Sequence, residues 1–165
     1  MIKRKVCMVG DFAVGKTSLT QRFVNNSFSE KYLTTIGVKI DNVVIGDTKL
    51  IIWDMAGRDS LSPINTNYLV GASGIVMVCD GTRPETIESL DSLADLVMER
   101  IGDVPKVVAI NKNDDPQWRF LDRQRDAMTA LGMTVFETSA RDGHNVPIMF
   151  ETLVDMINTS GSKGS

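Results

Sequence analysis

The sequence predicts an α/β domain, a six-stranded and mostly parallel sheet with one antiparallel edge strand and helices on both faces. Three observations predict it. Short apolar runs of strand length alternate along the chain with longer stretches whose apolar residues recur at helical spacing. Two of the runs, residues 74–80 and 106–111, are apolar almost throughout, as strands covered on both faces are. Gly46-Asp47 separates two strand-like runs by a hairpin turn, which sets one antiparallel pair.

Taken in order, residues 5–9 read as a buried strand, and residues 18–26 as a helix with Leu19, Phe23 and Val24 on one face. A polar stretch over 25–35 reads as a loop. Residues 38–45 and 49–54 are the arms of the hairpin, and 58–70 is a polar loop with at most a poor helix. The strand at 74–80 is followed by a helix over 84–101, whose stripe is Ile87, Leu90, Leu93, Leu96 and Val97. The strand at 106–111 is followed by a helix over 116–131 closed by Gly132. A short strand at 134–137 and an amphipathic helix over 146–157, with Asp142 or Asn145 as its cap, end the series. With no internal repeat or linker, residues 1–158 form one domain and residues 159–165 a tail that is flexible by its Ser/Gly composition.

The 165 residues suffice for one full core, and 42% hydrophobic with 24% charged residues is ordinary for a water-soluble domain. A net charge of −3 gives no general reason to expect nucleic acid or an anionic membrane as partner. Cys7 and Cys79 both lie in apolar runs, which favours buried free thiols in a reducing compartment over a disulfide. The chain shows no signal peptide, no run of membrane-spanning length and no terminal cysteine for prenylation. The expected location is cytoplasmic, without an intrinsic membrane anchor, and peripheral recruitment to a membrane is left open.

The chemistry gathers around residues 10–17, Gly10-Asp11-Phe12-Ala13-Val14-Gly15-Lys16-Thr17, of the form G-x-x-x-x-G-K-T. Its glycines let the backbone curl so that N–H groups face an anion, Lys16 reaches the terminal phosphates, and the Thr17 hydroxyl suits Mg²⁺. The competing reading, a glycine turn with a solvated lysine, loses ground because a strand precedes the loop and a helix follows it. In a sheet of this kind ligands bind at the carboxyl ends of strands. That rule selects residues 54–57, 111–114 and 139–140 as well. Asp54 could hold Mg²⁺ through water, and Gly57 would let an N–H approach a terminal phosphate, although D-x-x-G alone is more often a turn. In Asn111-Lys112-Asn113-Asp114, Asp114 could accept from both N1–H and N2–H₂ of guanine, a donor pair that adenine lacks. Asn111 could meet the ring-nitrogen edge of the base and tie the loops together, and the Lys112 stem could lie along its face. The alternative is a polar loop that caps the next helix. Beside that loop, the Ala140 N–H could donate to the guanine oxygen. His144 sits in a polar turn and reads as a solvated cap, and no His/Cys metal cluster or catalytic triad is indicated.

These motifs together resemble a small GTPase of the Ras superfamily, with five family motifs in the family's order: residues 10–17, Thr35, 54–57, 111–114 and 139–141. The resemblance covers residues 3–158, and Thr35-Ile36-Gly37-Val38 and Trp53-Asp54 resemble the Rab-like branch. It implies the P-loop NTPase fold, a molecular switch that binds GTP or GDP with Mg²⁺, and hydrolysis of GTP. It implies nucleotide contacts from Asp11, Phe12, Ala13, Val14, Gly15, Lys16, Thr17, Ser18, Phe28, Thr35 and Gly57, and from Asn111, Lys112, Asp114, Ser139, Ala140 and Arg141. It implies metal contacts from Thr17, Thr35 and Asp54, and catalytic roles for Lys16, Thr35, Gly57 and the residue after it. Effector proteins would read Ile40, Trp53 and Tyr68, which could equally be ordinary core, and an exchange factor or GTPase activator is implied too.

The chain departs from the family's pattern in four places. Arg58 replaces the glutamine that orients the attacking water, and arginine has donors but no acceptor. Phe12 replaces a small residue beside the γ-phosphate, where it would crowd a partner's arginine finger. Ile40 replaces an aromatic residue, and the prenylated cysteines of Rab tails are missing. The expected function is therefore a switch with slow hydrolysis, or alternatively a GTP-binding interaction module held mainly in one state. A P-loop kinase or ATPase is a distant third, against which Asn111 and Asp114 argue.

Overall fold

The computed structural model describes residues 1–28, 38–55 and 65–163. Six strands form one sheet in the order β2-β3-β1-β4-β5-β6. They are β1 (Ile2–Gly10), β2 (Val38–Ile45), β3 (Thr48–Met55), β4 (Gly74–Asp80), β5 (Lys106–Asn111) and β6 (Val135–Glu137). Every pair is parallel except β2 with β3. That antiparallel pair puts Ile45 opposite Thr48, which leaves Gly46 and Asp47 as the turn, with Gly46 at φ 59. The expected mixed sheet with one antiparallel edge strand is the sheet observed.

Alternation along β1 explains how the sheet is covered. Val6 and Met8 point to one face, into a cluster with Leu19, Phe150, Leu153 and Ile157. Those partners come from α1 (Lys16–Asn25) and α5 (Val146–Lys163). Cys7 and Val9 point to the other face, among Leu90, Leu93 and Val97 of α3 (Leu90–Ile101). β4 is buried at every residue because it lies mid-sheet under both layers. Cys7 and Cys79 are buried free thiols, as expected, and burial pushes Cys7 up to about 11, mainly by desolvating its thiolate.

Three helices differ from the sequence reading. The helix expected over 84–101 is interrupted at Ser89, between α2 (Pro84–Glu88) and α3. The Ser89 hydroxyl lies 3.0 Å from both the Glu85 carbonyl and Asp11 Oδ2, with one proton to donate to either, and hydroxyl bonding of this kind competes with the helical ladder. The helix expected from 116 begins only at α4 (Asp122–Ala130). Upstream, the Arg119 N–H is committed to the Gly81 carbonyl at 2.8 Å, and Phe120 is buried with Trp118 edge-on to it. That anchorage is incompatible with helix, so α4 starts where Gln124 Oε1 accepts from the Leu121 N–H. α5 continues past 157 to Lys163, over backbone that composition assigned to the tail. Asn145 precedes it at φ 59, and its amide donates to the Glu137 carbonyl.

Candidate functional site

At the carboxyl edge of the sheet, the backbone from Gly10 to Gly15 leaves β1 and enters α1. Two positions require their glycines. A Cβ on Gly10 would lie 2.4 Å from the Val78 carbonyl oxygen, and Gly15 takes φ 103 with its Cα facing the Asn111 amide. Ala13 is also left-handed, at φ 62.

Each carbonyl of this loop accepts a hydrogen bond. Lys16 Nζ donates to Gly10 O at 3.3 Å and Asp11 O at 3.0 Å. Arg83 donates to Phe12 O at 2.7 Å, Lys112 Nζ to Ala13 O at 3.1 Å and Asn111 Nδ2 to Val14 O at 3.1 Å. Gly15 O accepts from the Leu19 N–H at 2.9 Å. In a trans peptide the N–H points opposite to the C=O, so each carbonyl held in this way also fixes the direction of the N–H that follows it. A run of backbone N–H groups oriented like this can form an anion-binding concavity. It opens onto the start of α1, where Gly15 offers no side-chain cap and the first turn carries no acidic residue. Both features leave the positive end of the helix for an anion.

Lys16 is 6% exposed, and its ammonium is lowered to about 8, chiefly by burial, against the opposing pull of Asp54 and Asp11. An anion in the concavity would restore the stabilisation that burial removes. Thr17 Oγ1 donates to Asp54 Oδ2 at 2.5 Å, and Asp54 is fully buried at the end of β3. A hydroxyl and a carboxylate brought together beside a phosphate-binding loop are the hard oxygen donors that Mg²⁺ prefers.

The second side of the site is the loop after β5. Asn111 joins three segments, since besides Val14 it accepts at Oδ1 from Thr138 Oγ1 at 3.1 Å and from the Ala140 N–H at 3.3 Å. Ala140, expected to donate to a guanine oxygen, thus has a competing acceptor within the protein. Asp114 is exposed and accepts from Ser139 Oγ at 2.8 Å, which fixes the direction of its carboxylate. Arg22 of α1 donates to Ala140 O at 2.8 Å and to Arg141 O, which moors the 139–141 loop to the helix that begins in the phosphate loop. Ser18 lies in the first turn of α1 and Phe28 is exposed just beyond that helix. Thr35, Gly57 and Arg58 lie outside the described residues.

Residues 5–159 match the family model described as "Ras family". The chain belongs to the Ras family. It is 35% identical over 160 residues to the Ras-related protein Rab-3 of Caenorhabditis elegans, an alignment that covers 93% of this chain and 73% of that protein. It is 33% identical over 159 residues to the Ras-related protein SEC4 of Saccharomyces cerevisiae, covering 93% and 74% of the two chains. Human Ras-related protein Rab-3A is 33% identical over 160 residues, covering 93% and 73%. Its relatives therefore lie on the Rab-like branch of a family of nucleotide-binding switches.

Two features gain meaning within the Ras family. Ile40 pairs in register with Trp53, and the Trp53 and Tyr68 rings lie 6.0 Å apart, so Trp53 lies beside both. Trp53 and Tyr68 pack against the core, as the ordinary-core reading expects, while Ile40 is 48% exposed. Phe12 is 43% exposed at the rim of the phosphate loop. Among the described residues, no helix is long and apolar enough to cross a membrane.

The sequence reading missed Asp80 and Arg83. Asp80 ends β4, opposite Asn111 in register, and is 1% exposed. The carboxyl-edge rule that selected the other loops applies equally to the end of β4 and would have found it. Burial by itself would raise its carboxyl, but hydrogen bonds from Lys112, Thr82 and Arg83 outweigh that and hold it below the ordinary range.

Proposed function

We propose that the chain is a guanine-nucleotide switch that binds GTP and GDP with Mg²⁺ and hydrolyses GTP slowly. The observation that carries this reading is the pinned phosphate loop joined, through Asn111 and Lys112, to a loop that presents Asp114. Phosphates would seat on the N–H groups of residues 13–18 and on Lys16. Asp114 would select guanine, whose paired donors match one carboxylate. Thr17 and Asp54 fit Mg²⁺, joined by Thr35 in the GTP state, and the metal when bound supplies charge to the phosphate oxygens. GTP would order the segments that carry Thr35 and Gly57, and hydrolysis would release them. Effectors would dock on the face of Ile40, Trp53 and Tyr68, and an exchange factor would reload the site.

Slow hydrolysis rests on Arg58, which has no acceptor for a proton of the attacking water. The second reading, an interaction module with negligible hydrolysis, is favoured by Phe12, whose ring stands exposed where a partner's arginine would approach. Single-turnover hydrolysis of GTP tests the account. Arg58→Gln should raise the intrinsic rate by about tenfold or more, since water positioning and proton acceptance are worth at least that much. A native enzyme that is fast and slows on that substitution would make Arg58 a charge donor in cis and overturn the proposal.

A further inference from the structure

Asp80 is a nearly inaccessible carboxylate, which is costly unless fully partnered. It has four donors. The Thr82 N–H and hydroxyl hold Oδ1 at 2.8 and 2.6 Å, while Arg83 Nε and Lys112 Nζ meet Oδ2 at 3.0 and 2.8 Å. Both cations also reach the phosphate loop, at consecutive residues. Arg83 donates its terminal nitrogen to Phe12 O, and Lys112 donates to Ala13 O. The lysine belongs to the base-reading loop, but the arginine comes from the turn after β4 and has no part in the motifs. Arg83 meets its two acceptors through separate nitrogens of one rigid plane, Nε and a terminal nitrogen, whereas the Lys112 ammonium meets its two through a single nitrogen at the end of a flexible stem.

We propose that Arg83, anchored by Asp80, is a positioning residue for diphosphate recognition, holding the Phe12 carbonyl outward so that the neighbouring N–H groups stay turned toward the β-phosphate. The inference rests on the guanine-nucleotide reading of the site. It assigns Arg83 no contact with the nucleotide. Its effect falls on the part of the ligand that the phosphate loop holds, and leaves the base and ribose alone. A staple that merely stabilised the turn after β4 would act on every ligand alike.

The test uses the full chain, freed of nucleotide and titrated with GDP and with GMP, which lacks the β-phosphate. Arg83→Ala should weaken GDP by about tenfold, the worth of a hydrogen bond from a charged group, and leave GMP unchanged to within about twofold. Arg83→Lys keeps the charge but not the fork, and should remain weakened for GDP. Arg83→Gln makes the same comparison should the alanine variant not fold. Equal losses for GDP and GMP, or no loss for either, would overturn the proposal. Full GDP affinity in Arg83→Lys would overturn it too, by showing that charge alone suffices. If the native chain binds no GDP, the functional reading itself fails, a different outcome from native GDP binding that ignores Arg83.

Discussion

Gly15 combines two demands that only glycine meets. Its φ of 103 is strained for any residue with a side chain, and an added Cβ would lie 2.3 Å from Asn111 Nδ2. Gly15→Ala should therefore cost the loop ~1–3 kcal/mol of backbone strain, besides displacing the Asn111 amide from Val14. The expected result is a GDP affinity lower by tenfold or more together with a lowered unfolding midpoint, the affinity read by titration with fluorescent GDP; an unchanged affinity would contradict it. Residues of this kind were legible in the sequence because their chemistry is local. Lys16 and Thr17 follow a glycine loop, and Asp114 closes a four-residue motif. Asp80 and Arg83 were not read, because their meaning depends on the register that sets Asp80 against Asn111 and on a contact between segments about 70 positions apart. Thr35, Gly57 and Arg58 keep the standing that the resemblance gave them.

The strands were legible at the scale of the element, because burial on both faces leaves the same unbroken apolar run whatever their neighbours are. β4 and β5 have the bounds that their apolar runs suggested, and β2, at the edge and buried at no residue, has those that its partial alternation and the Gly46 turn suggested. Helix boundaries were less legible, since side chains from elsewhere decide them. Ser89 breaks the ladder with Asp11 in hydrogen-bond reach, and Trp118 and Phe120 delay α4 by packing near Gly81 and in the core. The most consequential packing element is α5. Phe150 is fully buried, and its ring stacks on Phe23 of α1 at 4.2 Å between centroids. That contact braces the helix whose first turn forms the phosphate site. Phe150→Ala should cost ~3–5 kcal/mol of stability, a large part of what a domain of this size has to spare. A lowered urea midpoint with an unchanged slope would show it, and a loss below about 1 kcal/mol would mean that the site is not braced this way.

At the scale of the whole molecule, the strand order brings the ends of β1, β3, β4, β5 and β6 to one edge, where five separate stretches of sequence supply one candidate site. Sheet rules made that edge predictable before any contact was known. The central claim is that this edge recognises a guanine nucleotide, with the phosphate loop supplying affinity and Asp114 supplying the choice of base. The most direct test is competition between GDP and ADP, in the presence of Mg²⁺, for the native chain and for Asp114→Ala. Losing a charge-assisted pair to the base should cost ~2–5 kcal/mol. Native protein should therefore prefer GDP over ADP by more than about thirtyfold, and Asp114→Ala should weaken GDP by at least about tenfold while leaving ADP nearly unchanged. Equal displacement by GDP and ADP from the native protein would contradict the account.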